Sequence, residues 1–229
     1  MGEALDISGE LIGTGRSADV FEHGAGEVLR RYREPHDTER EVAVMQHAAA
    51  HGYPVPAARR LNDTDIVMER VNGPTMLDDL ARRPWSLRSH AATLARLHQQ
   101  LHEIAAPAWL PASLGEGDAL LHLDLHPDNV ILGPRGPVVI DWPNAARGPS
   151  AADVAHTWIV MACSVPTTGR YRQAATQAGS RLFVALFLRH YDRAQITPHV
   201  DKVGAWRAGH RNLPEAELEA IRRIVAEHR

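Results

Sequence analysis

The stretch that decides the reading is His122-Leu123-Asp124-Leu125-His126-Pro127-Asp128-Asn129, followed twelve residues later by Asp141 in Pro137-Val138-Val139-Ile140-Asp141-Trp142. Polar side chains this dense amid leucine, valine and isoleucine are costly to bury unless they pair or bind an ion. An aspartate and, five residues on, an asparagine of one loop can divide labour. The aspartate accepts or orients a hydroxyl proton, and the asparagine carbonyl ligates a cation. A second carboxylate, ending a buried strand, supplies a further ligand. Oxygen-only donors suit a hard cation such as Mg2+. Asp124 is therefore the candidate proton acceptor, with Asn129 and Asp141 as candidate metal ligands.

The spacing H-x-D-x-x-x-x-N with a downstream aspartate is also that of a kinase catalytic loop. A kinase-like chain needs three more parts, all of them upstream. Gly13-Thr14-Gly15-Arg16-Ser17-Ala18-Asp19-Val20 fits G-x-G-x-x-G-x-V, with Ala18 at the third glycine. Between two strands, such a turn lets backbone N–H groups approach phosphate oxygens. Gly13, Gly15 and Ser17 are the candidate phosphate-lining residues; the plainer reading is a hairpin turn. A strand cation should meet the phosphates and a helix glutamate should hold it. The only lysine in the chain is Lys202, so Arg30, in Val28-Leu29-Arg30, takes that place, with Glu41 (or Glu39) as its partner. The competing reading makes Arg30, Arg31 and Arg33 a solvated strand face.

The rest of the chain is consistent with this order. Strands are expected on both sides of the Gly13–Gly15 turn, over 27–32 and over 65–68, with 53–56 extended. A helix over 38–50 carries Val42, Met45 and Ala49 at helical spacing, with Thr38 placed to cap it. Asn72-Gly73-Pro74 breaks the chain between a sheet-rich first part and a helical second part. Beyond it, helices are expected at 75–82 and 86–104, the latter burying Leu87, Ala91, Leu94, Ala95, Leu97 and Leu101. Pro137–Trp142 reads as a buried strand, and everything from 151 on as helices at 151–163, 170–191 and 214–228.

Composition narrows the function classes. The 229 residues are 44% hydrophobic and 23% charged, with a formal net charge of −3. That is a globular balance with no overall support for a nucleic-acid surface. The longest apolar run, Leu182 to Leu188, is far below the roughly 18 residues of a membrane span, and no signal peptide is visible. One cysteine, Cys163, makes no internal disulfide, so a cytoplasmic location is expected. Residues 1–149 hold 21 acidic and 14 basic side chains, whereas residues 150–229 hold 7 and 11.

Together these residues resemble the aminoglycoside phosphotransferase-like small-molecule kinases, a branch of the protein-kinase-like fold. The resemblance runs from Leu11 to about Ala162. It is carried by Glu41 and His51-Gly-Tyr-Pro-Val-Pro56, Val67-Met-Glu-Arg-Val-Asn-Gly73, Leu97-His98, the 122–129 loop, Ile140-Asp-Trp142 and Asp153-Val-Ala155. It implies an α+β, two-lobed protein-kinase-like fold, with a small antiparallel β-sheet N-lobe over 1–68, a hinge at 69–74 and a mainly helical C-lobe over 75–229. It implies ATP and Mg2+ as cofactors, with γ-phosphate transfer to a hydroxyl of a small molecule. Asp124 would be the catalytic base, with Asn129 and Asp141 on the metal. The cofactor-binding set would be Gly13, Gly15, Ser17, Arg30, Glu41 and the hinge residues Glu69 and Val71. His122 would support the loop, Asp153 would steady it from the next helix, and Asp128 would be a tolerated loop residue. Neither a nucleic acid nor a membrane is an expected partner, and monomer or homodimer stays open.

Two other readings stand beside it. A non-catalytic nucleotide-binding module would use the same fold, although retention of Asp124, Asn129 and Asp141 together favours activity. A zinc hydrolase could use His98 and His102, four apart on one helix, but His98-Gln-Gln-Leu-His102 lacks the glutamate of H-E-x-x-H. Aminoglycosides are polycations, and the basic C-terminal segment argues against a preference for them.

Overall fold

A computed structural model describes residues 9–163, 170–209 and 213–227, the side chains of 170–177 excepted. The chain forms two compact units. One runs to Gly73 and includes Ile131–Pro143; the other comprises Pro74–Val130 and everything from Asn144 onward.

The first unit is built on a five-stranded antiparallel sheet in the order β1-β2-β3-β5-β4. Its strands are β1 (Leu11–Thr14), β2 (Ala18–Glu22), β3 (Glu27–Tyr32), β4 (Ala58–Arg60) and β5 (Asp65–Glu69). Register pairs Val28 with Met68, Leu29 with Val67 and Arg30 with Ile66. Strand alternation therefore puts Arg30 and Tyr32 on one buried side, while Arg31 and Arg33 face outward. Helix α1 (Thr38–Ala50) buries Glu41, Val42, Val44, Met45 and Ala48. Its cap is Asp37, whose carboxylate accepts the Arg40 N–H at 3.0 Å, and not Thr38. The Thr38 hydroxyl instead donates to Asn62 O at 2.6 Å.

Residues 131–143 join this unit because their backbone and side chains are bonded to it. The β7 (Val130–Gly133) and β8 (Gly136–Val139) hairpin is followed by a Val139 N–H to Pro54 O bond of 2.8 Å. Trp142, 1% exposed, packs edge-on against Tyr53. Gly73 lies so close to the hairpin that an added Cβ would sit 2.2 Å from Leu132 O.

The second unit is mainly helical. Thr75 caps α2 (Met76–Arg82), accepting the Asp78 N–H at 3.0 Å. The buried stripe of α3 (Leu87–His102) follows the expected positions, except that Leu87 is half-exposed. A short ladder of β6 (Ala119–Leu121) and β9 (Ala146–Gly148) flanks the 122–129 loop. Helix α4 (Ser150–Cys163) is buried over most of its length. Among the described residues four helices follow it: α5 (Arg170–Leu188), α6 (Arg193–Ile196), α7 (Val200–Ala208) and α8 (Glu215–Glu227). Of these, α6 and α7 have no counterpart in the sequence reading. Both are short, four and nine residues, and α7 carries Gly204, where an added Cβ would lie 2.5 Å from the Val225 side chain. Close helix packing, not periodicity, makes that segment helical. Position 228, the last in the expected final helix, lies outside the described residues.

No described helix is long and apolar enough to cross a membrane.

Candidate active site

In the first unit the candidate residues converge on Arg30, 9% exposed at the middle of the sheet. Its Nη1 donates to Glu41 Oε1 at 3.2 Å and its Nη2 to Asp141 Oδ1. The Tyr32 hydroxyl donates to the other oxygen, Glu41 Oε2, at 2.6 Å. The Arg30 guanidinium also lies 4.8 Å from the centroid of the Tyr32 ring, on which His36 stacks at 4.4 Å. Burial pushes the Glu41 carboxyl above its usual range, against the pull of Arg30 and Tyr32. Burial also works against the Arg30 charge, but Asp141 and Glu41 outweigh it and hold the guanidinium protonated. Asp141 is not the end of the strand expected over 137–142. The strand stops at Val139 and Asp141 adopts φ +72°, a left-handed conformation that aspartate tolerates and a strand cannot contain.

Gly13 belongs to β1 opposite Val20, and Gly15 turns the chain by donating its N–H to Ala18 O at 2.8 Å. Ser17 is exposed on this turn, where its carbonyl accepts the Arg33 N–H at 3.0 Å. Arg33 is not merely a solvated strand residue. Its Nη1 and Nη2 donate to Arg16 O (2.9 Å) and Gly15 O (3.1 Å), and it pairs with Asp19. Arg31 forks onto Asp65, both bonds 2.7 Å. At the expected hinge the Glu69 N–H goes to Ala57 O and its carboxylate to Arg135, each at 2.8 Å. Val71 lies against Gly133.

In the second unit the loop of residues 122–129 is pinned from below. Asp153 on α4, fully buried, accepts the Leu123 N–H at 2.8 Å, the His122 N–H at 3.1 Å and His102 Nε2 at 3.0 Å. Burial opposes its charge, yet His102 and its neighbours hold it well below the usual carboxylate range. Thr157, one turn on, lies 2.8 Å from Leu125 O and 2.9 Å from His98 Nε2, and His98 Nδ1 meets Leu94 O at 3.0 Å. His98 and His102 are thus both engaged by the protein's own groups. Asp124, at the top of the loop, is part-exposed. Asn129 Nδ2 donates to Asp124 O at 2.9 Å and to Oδ2 at 3.3 Å. Asp124 is held well below the usual range although burial opposes its charge; His126, with Nε2 3.6 Å from Oδ1, leads the groups responsible.

The donor chemistry fits a hard cation. Asn129 uses its amide hydrogens on Asp124, which leaves a carbonyl oxygen as its ligand atom. Asp141 keeps 32% of its side chain exposed despite the bond to Arg30. Among the described residues no group of three His, Cys, Asp or Glu gathers as a metal site. Mg2+ does not need one, since it usually takes one or two protein oxygens with phosphate and water completing the shell.

Sequence reasoning did not single out Tyr32, Arg33 as the clamp of the glycine turn, or Arg207. Tyr32 had a signal: it is two residues beyond Arg30 on the same strand, hence on the same face. Arg207, on α7, had none. Its Nη1 comes within 3.9 Å of Asp124 Oδ1, a contact that only tertiary packing creates.

The sequence matches the model of the phosphotransferase enzyme family over residues 8–119 and 100–196. No curated protein matches it significantly. Among solved structures, the aminoglycoside phosphotransferase APH(4)-Ia is similar with a TM-score of 0.62 and 14% identity, over 96% of this chain and 89% of that one. An ethanolamine kinase from Plasmodium vivax is similar with a TM-score of 0.62 and 13% identity, over 96% and 84%. A ternary complex of an APH(4)-Ia mutant with AMP-PNP and hygromycin B also matches, with a TM-score of 0.62 and 13% identity, over 96% and 90%. Identities this low establish the shared kinase-like fold and not the substrate. The family match, which spans most of the chain, goes further: this protein belongs to the phosphotransferase enzyme family.

Proposed function

We propose that this protein transfers the γ-phosphate of ATP, as its Mg2+ complex, to a hydroxyl group of a small molecule. The observation that carries the reading is the Arg30 cluster, in which one buried strand cation is bonded to a helix carboxylate, Glu41, and to a second carboxylate, Asp141. Such an arrangement serves to grip phosphate oxygens, and it reproduces with arginine what a strand lysine does in other kinases. The AMP-PNP complex of a fold relative supports the choice of nucleotide.

The roles follow from the chemistry of each group. Asp124 accepts the proton of the acceptor hydroxyl as its oxygen attacks the γ-phosphorus; the bond to the β-phosphate oxygen breaks and ADP leaves. Ionisation of Asp124, favoured by its surroundings, leaves it ready to accept that proton. Asn129 fixes the Asp124 carboxylate through its amide; its carbonyl and the Asp141 carboxylate would be the protein groups that hold the metal. Mg2+ supplies neutralisation of phosphate charge when bound. Arg30 orients the phosphates, and the Gly13–Ser17 turn covers them.

Thermal unfolding with and without Mg·ATP tests the reading directly. A rise in midpoint for the wild type that Asp141→Asn abolishes is expected. An unchanged midpoint in the wild type would refute it.

A further inference from the structure

We propose that Arg207 sets the charge class of the acceptor: it turns the site away from ammonium compounds and toward uncharged hydroxyl compounds such as sugars or polyols. The inference rests on the phosphotransferase reading above and names its substrate class. Two features of the second unit support it.

The first is the position of the guanidinium. Arg207 Nη1 lies 3.9 Å from Asp124 Oδ1, so a guanidinium stands beside the proposed base. It is held there. Nε and Nη2 both donate to Glu217 Oε1, at 3.1 and 2.6 Å, and Nη1 donates to His156 Nε2 at 3.3 Å. His156 is fully buried and burial lowers its pKa to about 3, so it stays neutral and accepts this bond. An ammonium group beside the reacting hydroxyl would stand next to an arginine that has no room to swing away.

The second is the state of the carboxylates. A polycation needs acids free to pair with it, but Glu217 is already bonded to Arg207. Asp124 itself is required for the hydroxyl. An anionic acceptor is no better placed, because its charge would stand against the Asp124 carboxylate itself. An uncharged acceptor is the class that meets neither penalty.

The test compares wild type with Arg207→Met and with the double variant Arg207→Met/Glu217→Gln. The double variant leaves no buried carboxylate orphaned, so it keeps the experiment informative if the single variant unfolds. ADP release at saturating Mg·ATP is measured with ethanolamine, choline and kanamycin as cationic acceptors, and with glucose, glycerol and myo-inositol as uncharged ones. Mg·ATP binding is checked separately by thermal shift. Wild type is expected to be stimulated by the uncharged set and not by the amines, and the variants to shift the amine-to-neutral ratio of kcat/KM at least tenfold toward amines. An amine as the best wild-type acceptor, a ratio unmoved in the folded variants, or no stimulation by the uncharged set while Mg·ATP binds would each overturn this inference alone. Loss of Mg·ATP binding in the wild type would instead bring down the phosphotransferase reading and this inference with it.

Discussion

The carboxylate of Asp153 accepts the backbone N–H of Leu123 at 2.8 Å, and Leu123 is held at φ +55°. Leucine avoids this left-handed region at a cost of about 1–2 kcal/mol, so something outside the loop must maintain it. The second oxygen of Asp153 takes the His122 N–H, and the pair of bonds presents the next residue, Asp124, at the top of the loop. A conformation this unfavourable next to a proposed catalytic group is what a built-in positioning device looks like.

Asp153→Ala removes both acceptors and leaves two buried N–H groups without partners. A loss of about 2–4 kcal/mol in unfolding free energy is expected, together with at least a tenfold drop in kcat. Because Asp153 is held below the usual carboxylate range, its contribution is present above about pH 4 and is lost as pH falls below that value. Urea unfolding of wild type and Asp153→Asn across pH 3–7 checks this; acid limbs of equal slope would contradict it.

Arg30→Ala leaves the buried Glu41 carboxylate, and the part-exposed Asp141, without their shared cation. Removing one partner of such a group costs about 3–5 kcal/mol, read as a lowered denaturation midpoint. Arg30→Lys restores charge but cannot donate to both carboxylates in the same fork, so a higher KM for Mg·ATP is expected with smaller loss of stability. Tyr32→Phe keeps the ring under the guanidinium and removes the bond to Glu41, and its effect on KM should lie between wild type and Arg30→Lys.

Asp124→Asn preserves shape while abolishing proton acceptance. A fall in kcat of about 10²–10⁴-fold is expected, with the KM for Mg·ATP within a few-fold of wild type. Steady-state ADP release measures both. A variant retaining kcat within tenfold would remove Asp124 from the role of base.

Fully buried His98 sits between Leu94 O and Thr157, and burial lowers its pKa to about 4. The unfolded chain binds a proton near pH 6.5 that the native state refuses. Stability should therefore decline as pH falls from about 6.5 toward about 4, and this window lies above that of Asp153. In His98→Gln the decline should be shallower by one proton, measurable from denaturation midpoints at pH 7.5, 6 and 5.

The local chemistry was legible in the chain because it is local. Asp124 and Asn129 share eight residues with His122, and the glycine turn lies between two short stretches of strand-forming residues. The Arg30–Glu41 pairing was readable because a strand and the helix after it can form only a few arrangements. The limits of that logic appear at Asp141 and Thr38. An apolar run looks like continuous strand whether or not its last residues turn left-handed, and two adjacent residues able to cap a helix are separated only by backbone angle. What the sequence alone determined was the family, the reaction type it points to and the identity of the polar loop. Tertiary structure alone decided that Asp141 bonds to Arg30, that Arg33 clamps the glycine turn and that Arg207, some eighty residues beyond Asp124, stands beside it. Charge and hydrogen-bond partners act through space, and the spacing of residues along a chain does not record which distant side chains packing brings within 4 Å.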